Sequence, residues 1–418
     1  MSELQETPEA ASRRALIELV RSSGRDVLAT LTRVTGDFAL AEDAVQDATV
    51  RALEVWPRDG LPANPVAWLR LTARRRAIDL IRRESVRTGK EAISMAALGG
   101  PSEDPAEAAT SPSVEDDLLR LVFTCCHPSL ALETQVALAL RTLCGLTTPE
   151  VARALLVPEA TMAKRLTRAR QKIKLARIPY RVPDATELPD RWAAVLATTY
   201  LVFNEGYAAT SGPDLVRAGL VDEAIRLARL LRRLRPEDAS AMGLLALMLL
   251  QDSRRAARTD AGGGAVLLRD QDRLRWDAAA ISEAIPLVGQ ALRSSPDEPD
   301  RYVVQAAIAG CHALAPSYAD TDWRAVVSWY DVLVRLDPNP VAELNWAAAI
   351  AEHAGPGPAL EKVDRIAGLG SYPLWHATRA VLLRRLGREV EAQAADALAL
   401  ALPLNDAHRR RLRAGPSD

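Results

Sequence analysis

One helix design is written three times in the second half of the chain, and it constrains the fold more than any other feature of the sequence. DEAIRLARLLRRLRPED (222–238), SEAIPLVGQALRSSPDE (282–298) and RAVVSWYDVLVRLDPNP (324–340) each set a pair of small or branched residues twelve positions before a proline. The pairs are Ala224-Ile225 before Pro236, Ala284-Ile285 before Pro296 and Val326-Val327 before Pro338. VEAQAADALALALPLND is a weaker fourth copy, one residue out of register. Small residues where paired helices touch, with a proline closing each unit, predict helical hairpins stacked in an array over about 189–413. The prolines stand 60 and 42 residues apart, where an even array of this kind repeats every ~34. The array is therefore irregular, with DAGGGAVLLRDQ (260–271) as a loop inserted between hairpins.

The first half reads as helices too, so the expected fold class is all-α. Leu16, Ile17, Val20, Val27, Leu28 and Leu31 recur at helical spacing, and Asp37 is placed to cap a second helix whose apolar face includes Leu40, Ala44, Val45, Ala48 and Leu53. After the breaker-rich WPRDGLPANP a third helix is expected from about Pro65. These helices make a first domain over 12–88. Residues 89–113 form a linker rich in Gly, Pro, Ser and acids, which predicts a flexible acidic connection. A second domain, 114–177, contains a helix-turn-helix pattern. Thr148 is a candidate N-cap with Pro149 at the first helical position, Leu156 to Pro158 form the turn, and Met162, Leu166, Ala169 and Ile173 are the buried stripe of the second helix.

Charge is informative only when it is divided. The chain of 418 residues nets −1, yet residues 62–90 carry eight basic side chains against two acids and residues 160–177 carry seven against none. Two cationic segments on separate helical units suggest two contact patches on a polyanion. Segment 37–54 is the opposite, with five acids against Arg51 alone, and suits a protein partner rather than phosphate. Residues 180–418 carry 28 basic and 31 acidic side chains, which gives that half no electrostatic bias toward nucleic acid. The longest apolar stretches, 192–203 and 242–250, fall short of the ~18 to 20 residues that cross a bilayer. The acidic start of the chain lacks the apolar core of a secretory signal. A cytoplasmic protein with no membrane partner is expected, with its four cysteines as free thiols.

Three stretches carry a family resemblance. DFALAEDAVQDATVRALEVW (37–56) is similar to the core-polymerase-binding helix of bacterial RNA polymerase sigma factors of the extracytoplasmic-function class. NPVAWLRLTARRRAIDLIRRES (64–85) is similar to their −10 helix, and GLTTPEVARALLVPEATMAKRLTRARQKIK (145–174) to their −35-reading helix-turn-helix. FTCCHPSL (123–130), YLVFNEGY (200–207) and the helical tail resemble a subgroup with a tetratricopeptide-like C-terminal extension.

The resemblance implies core RNA polymerase (its beta-prime clamp and beta flap) and promoter DNA as partners, with Asp43, Gln46 and Asp47 on the polymerase-binding surface. It places Asn64, Arg70, Arg74, Arg75, Arg82 and Arg83 at the −10 element, the loop of about 58–64 holding a flipped base. Arg75 stands where the family commonly has Asn. At the −35 element it places Glu159, Thr161, Lys164, Arg165, Arg168 and Lys172, with Leu156 and Ala160 where the family often has glycines. The long extension suggests regulation, through packing on the sigma half or through a protein or peptide held in its groove.

Other chemistry finds little support. Cys125, Cys126 and His127, with Cys144 and His312 as further ligands, are a poor metal set because adjacent thiolates cannot readily chelate one tetrahedral ion; buried structural thiols are expected. Glu205 in Asn204-Glu205-Gly206 reads as part of a turn with glycine in a left-handed conformation rather than as a catalytic acid. Phosphate-binding loops and nucleophile triads are absent from the sequence, so no enzyme, no cofactor and no metal is expected. The alternative from another class is a repeat-based adaptor whose helix-turn-helix binds DNA without directing polymerase.

Overall fold

The computed structural model describes residues 8–88, 112–155, 157–208, 215–295 and 297–414. The acidic linker expected at 89–113 lies outside the described residues up to position 111, as do Leu156 of the expected turn and Pro296 of the second repeat. Every element of more than three residues is helical among the described residues. The chain divides into one compact unit over Met1–Thr199 and another over Tyr200–Asp418, with the boundary inside a single helix, Leu188–Tyr207.

Unit 1 begins with α1 (Pro8–Thr35), α2 (Phe38–Asp59) and α3 (Pro65–Thr88), which pack on one another. Asp37 caps α2 as its sequence position suggests, accepting from the backbone N–H groups of Ala39 and Leu40. The buried seam of α2 is Ala41, Ala44, Ala48, Ala52 and Trp56, and that of α3 is Leu69, Ala73, Ala77 and Ile81. Small residues at every turn let the backbones approach closely, while Trp56 meets Trp68 edge-on at 5.5 Å. The expected apolar face is therefore turned by a fraction of the helix: Leu53 is 43% exposed and, on α1, Ile17 is 45% exposed.

The same unit continues with α4 (Pro112–Cys125), α5 (Leu132–Leu138), a wide π turn at Ala139–Leu143, α6 (Thr148–Ala154) and α7 (Glu159–Leu175). Thr147, not Thr148, is the N-cap of α6. Its hydroxyl accepts from Glu150 N–H while the Glu150 carboxylate accepts from Thr147 N–H, a reciprocal box that a glutamate three positions after the cap makes possible. Thr148 and Pro149 become the first two helical residues. Met162, Leu166, Ala169 and Ile173 are all buried, which fixes the rotation of α7 and turns its basic side chains outward. The first part of α8 (Leu188–Tyr207) belongs here as well, with Arg191 donating to Phe123 O at 2.6 Å.

Unit 2 is a helical array of α9 (Ala218–Leu234), α10 (Ala239–Asp252), α11 (Ala278–Ser294), α12 (Arg301–Leu314), α13 (Trp323–Leu336), α14 (Pro340–His353), α15 (Pro356–Arg365), α16 (Pro373–Arg385), α17 (Glu389–Ala401) and α18 (Asp406–Ala414). The repeated sequences are α9, α11 and α13, and the weaker copy is α17. The Pro-containing turn after each supplies the cap of the following helix: Asp238 caps α10, Asp300 caps α12 and Asn339 caps α14. Asn405 does the same for Ala407 at the start of α18. Each repeat is thus a helix, a proline stop and a capped return helix.

Two glycines mark helix crossings. A Cβ on Gly243 of α10 would lie 2.7 Å from Val303 N of α12, and one on Gly206 of α8 would lie 2.8 Å from Val221 N of α9. Gly206 is helical, so close approach rather than a left-handed turn accounts for the glycine in Asn204-Glu205-Gly206, and Glu205 ion-pairs with Arg217 at 2.8 Å. Residues 241–250 of α10 are buried on every side, making it the central helix of this part of the array.

His312, near the end of α12, gives unit 2 an acid limit. Burial first, then the neighbouring Arg254 and Arg273 guanidiniums, pull its pKa down from 6.5 to about 4. Between pH ~6.5 and 4 the unfolded chain binds a proton that the folded chain does not, so stability falls as the pH drops through that window. The expected loss from this residue is about 2 kcal/mol by pH 5. Thermal melts of the full chain at pH 7 and pH 5 check it, with His312→Gln reducing the difference.

Candidate nucleic-acid interface

Helix α7 divides its cations into two sets. On one side Arg170 donates to both carboxylate oxygens of Glu42 in α2, at 2.8 Å and 2.5 Å, and Lys174 ion-pairs with Asp37 at 3.5 Å. Arg165 reaches Glu133 of α5 at 3.0 Å. On the other side Lys164, Arg168 and Lys172 are exposed and form no ion pair among the described residues. With Thr161 and Arg165 they line an open groove of about 400 Å³ whose opposite wall is Leu130, Ala131 and Thr134. Glu159 stands exposed at the start of the helix. The six residues expected at the −35 element therefore share α7, and a cationic side chain recurs there every four residues at 164, 168 and 172, one to a helical turn.

The second cationic set is on α3. Arg75, Arg82 and Arg83 are exposed and Arg70 and Arg74 half-buried. Asn64 precedes this helix, and its side-chain oxygen accepts from Ala67 N–H at 3.0 Å. That bond commits the oxygen to a cap, leaving the amide N–H groups of Asn64 for any base contact. Trp68 packs on Trp56 and is half-buried, so it serves the core rather than a stacking surface.

The acidic helix α2 carries Asp43 and Gln46 exposed and Asp47 half-buried. Asp47 receives Arg76 Nε at 2.5 Å and so ties α2 to α3. Burial, ahead of the opposing Arg170 charge and reinforced by Glu42, Asp47 and Asp37, raises the Asp43 pKa. The carboxylate is thus held close to other acids without a partner of its own kind, ready for a cation from elsewhere.

Contacts between the first three helices and the helix-turn-helix segment were not visible in the sequence. Glu42 is buried and Arg170 mostly so, and they are 128 residues apart. Asp117, buried in α4, accepts from Arg33 at 2.8 Å and Arg120 at 3.1 Å, and burial raises its pKa even so. Tyr180 Oη lies 2.8 Å from Ala29 O and 2.9 Å from Asp117 O, sharing its one O–H between α1 and α4. No local periodicity signals these pairs; the only sequence hints are an acid within an alanine seam and a basic helix with no acids to balance it.

The thiols are structural. Cys125, Cys126 and Cys144 are buried, and burial pushes Cys126 up to about 12 and Cys125 well above its ordinary value. Groups of acids, histidines and cysteines that could hold a metal ion are absent among the described residues. Likewise, no described helix is long and apolar enough to cross a membrane.

Comparison with known proteins follows the same division. Residues 19–87 match the family described as Sigma-70 region 2, and residues 120–173 match Sigma-70 region 4. Residues 191–292 match a family of unknown function. An uncharacterized protein of Rhizobium meliloti (strain 1021) is 44% identical over 394 residues, covering 93% of this chain and 92% of its own length. A probable RNA polymerase sigma factor, RfaY, of Xanthomonas campestris pv. campestris is 30% identical over 174 residues, 40% of this chain and 42% of that one.

The Glu42–Arg170 pair is expected to hold unit 1 in this packed form. Removing one partner strands a largely buried charge, so Glu42→Ala should cost about 2–4 kcal/mol of stability in urea denaturation. A double-mutant cycle with Arg170→Ala should give a coupling of at least about 1 kcal/mol; a coupling near zero means the pair does not form in solution.

Proposed function

From the premise that the chain belongs to the sigma-70 family of RNA polymerase sigma factors, we propose that it is an extracytoplasmic-function-type factor acting in the cytoplasm. It directs core polymerase to promoters and has no chemistry of its own. The observation that carries this reading is the exposed, unpaired cationic row of α7 in the same chain as the second cationic helix α3 and the acidic helix α2. In this reading Lys164, Arg165, Arg168 and Lys172 meet the −35 duplex, where only contacts to base edges carry sequence information. Arg74, Arg75, Arg82 and Arg83 hold the strand of the melted −10 element, offsetting a few kcal/mol of unstacking. Asp43, Gln46 and Asp47 face the polymerase clamp.

Two promoter elements about 25 base pairs apart are separated by roughly 85 Å of duplex at ~3.4 Å per step. Helix α7, of 17 residues, is only about 25 Å long and is bonded to α2, which packs on α3. Both elements cannot be read at once with that bond in place. Binding to polymerase and promoter therefore requires Arg170 and Lys174 to leave Glu42 and Asp37, and the packed form of unit 1 is the resting form. The helical array of unit 2, with no basic bias, regulates this step rather than contacting DNA.

Run-off transcription with purified core enzyme tests the reading. The full chain should support initiation from discrete start sites, and Asp43→Lys with Asp47→Lys should abolish core association while leaving the fold intact by circular dichroism. An unchanged holoenzyme with both substitutions favours the adaptor alternative. For the array, a chain ending at Arg181 should initiate with altered regulation; identical, equally regulated transcription overturns a regulatory role.

A further inference from the structure

Unit 1 has a second concavity, on the side of α2 away from the DNA-facing groove. It measures about 450 Å³ and lies between α1, α2 and the residues that open the helix-turn-helix. Its walls are apolar: Ile17, Val20, Val45, Val50 and Leu53 line it, and Ile17, Val50 and Leu53 are 45%, 51% and 43% exposed. That is where the sequence predicted core and the structure leaves open surface. The volume falls within the ~300–1,000 Å³ of small-molecule sites. Two turns of a partner's helix, roughly 10 Å across and 11 Å long, would need about twice as much.

One wall ends in Arg141, held in the wide π turn at Ala139–Leu143. Its Nη1 donates to Leu146 O at 3.0 Å, and its buried Nε has no partner among the described residues. Burial, with Arg170 adding to it, pulls the Arg141 pKa down, while Glu42 and Glu150 oppose that shift. Both carboxylates are already engaged, Glu42 by Arg170 and Glu150 by the Thr147 cap. Arg13 and Arg25 also line the groove, so three guanidiniums face two committed carboxylates. A buried guanidinium short of compensation at one end of an apolar trough matches a molecule with a hydrocarbon body and one anionic end.

We propose that this groove binds a small amphipathic monoanion, a hydrocarbon chain with a single carboxylate set against Arg141. Gln46 lines the groove as well. If the sigma-factor reading holds, an occupied groove withholds that face from polymerase and adds interactions that exist only while the two halves of unit 1 are packed, favouring the resting form.

The probe is decanoate, titrated calorimetrically into the full chain without polymerase. Saturable one-to-one binding is expected, with octanoate roughly tenfold weaker for the loss of two buried methylenes, and decanol at least tenfold weaker than decanoate. Val50→Trp, at a half-exposed position, should fill the groove and weaken decanoate more than tenfold. Arg141→Gln should bring decanoate down to the level of decanol; if that variant does not fold, the acid–alcohol comparison on the unaltered chain still decides. Absence of saturable binding below the micellar range, equal affinity for decanol and decanoate, or binding unchanged by Val50→Trp each overturns the proposal. Because no polymerase is present, the site can fail while transcription activity stands, and transcription can fail while the site binds.

Discussion

The arrangement of unit 1 depends on a charge that cannot be left alone. Glu42 sits in an otherwise alanine-lined seam, 8% exposed at its side chain, and burying a carboxylate there without a partner would be prohibitive. Arg170 supplies the partner in a bidentate contact, which fixes both the position and the rotation of α7 against α2. The rotation then decides the rest: Met162, Leu166, Ala169 and Ile173 go inward, and Lys164, Arg168 and Lys172 are presented to solvent. One ion pair thus separates the cations that hold the fold from those free to meet a ligand.

Much of this was legible in the sequence because it is local. The buried stripe of α7 follows from helical periodicity, and the cap of α2 from an aspartate just before a helical run. The helices of the array follow from a motif written repeatedly. What was not legible is what depends on distant partners or on fine rotation. Leu53 reads as core by its spacing, yet small residues at Ala48 and Ala52 let α2 turn its alanine side inward and leave Leu53 at the groove. Thr147 and Thr148 are equivalent as caps until Glu150 is seen to close the box on the first of them. Gly206 looks like a turn residue in its tripeptide, and only the approach of Val221 from α9 shows that it is a helix contact.

The array builds its regularity by a different device. Its repeats vary in spacing, yet each ends in a proline that stops one helix and is followed by an Asp or Asn that starts the next. The stop removes a backbone donor where the helix should end, and the cap satisfies donors where the next should begin. This punctuation tolerates insertions, because it specifies helix ends rather than a fixed period. The 260–271 insert is accommodated in this way: Asp260 accepts from Gly262 and Gly264 N–H at 2.8 Å, and Ala265 donates to Ala407 O at 3.1 Å.

The paired and unpaired cations of α7 also link opening to nucleic-acid binding. Seven basic residues and no acid between 160 and 177 repel one another, and the resting form relieves part of that repulsion through Glu42, Asp37 and Glu133. A phosphate backbone offers the same relief at many more points. Arg170 and Lys174, once released, join the cations available to it, so each ion pair broken inside the protein is replaced by one with the nucleic acid. The exchange is close to balanced because both sides are charge-assisted bonds of the same kind, which makes the equilibrium easy to bias. Burial of a few methylenes, or of one surface of a partner, on either side of that balance is then enough to decide which form prevails.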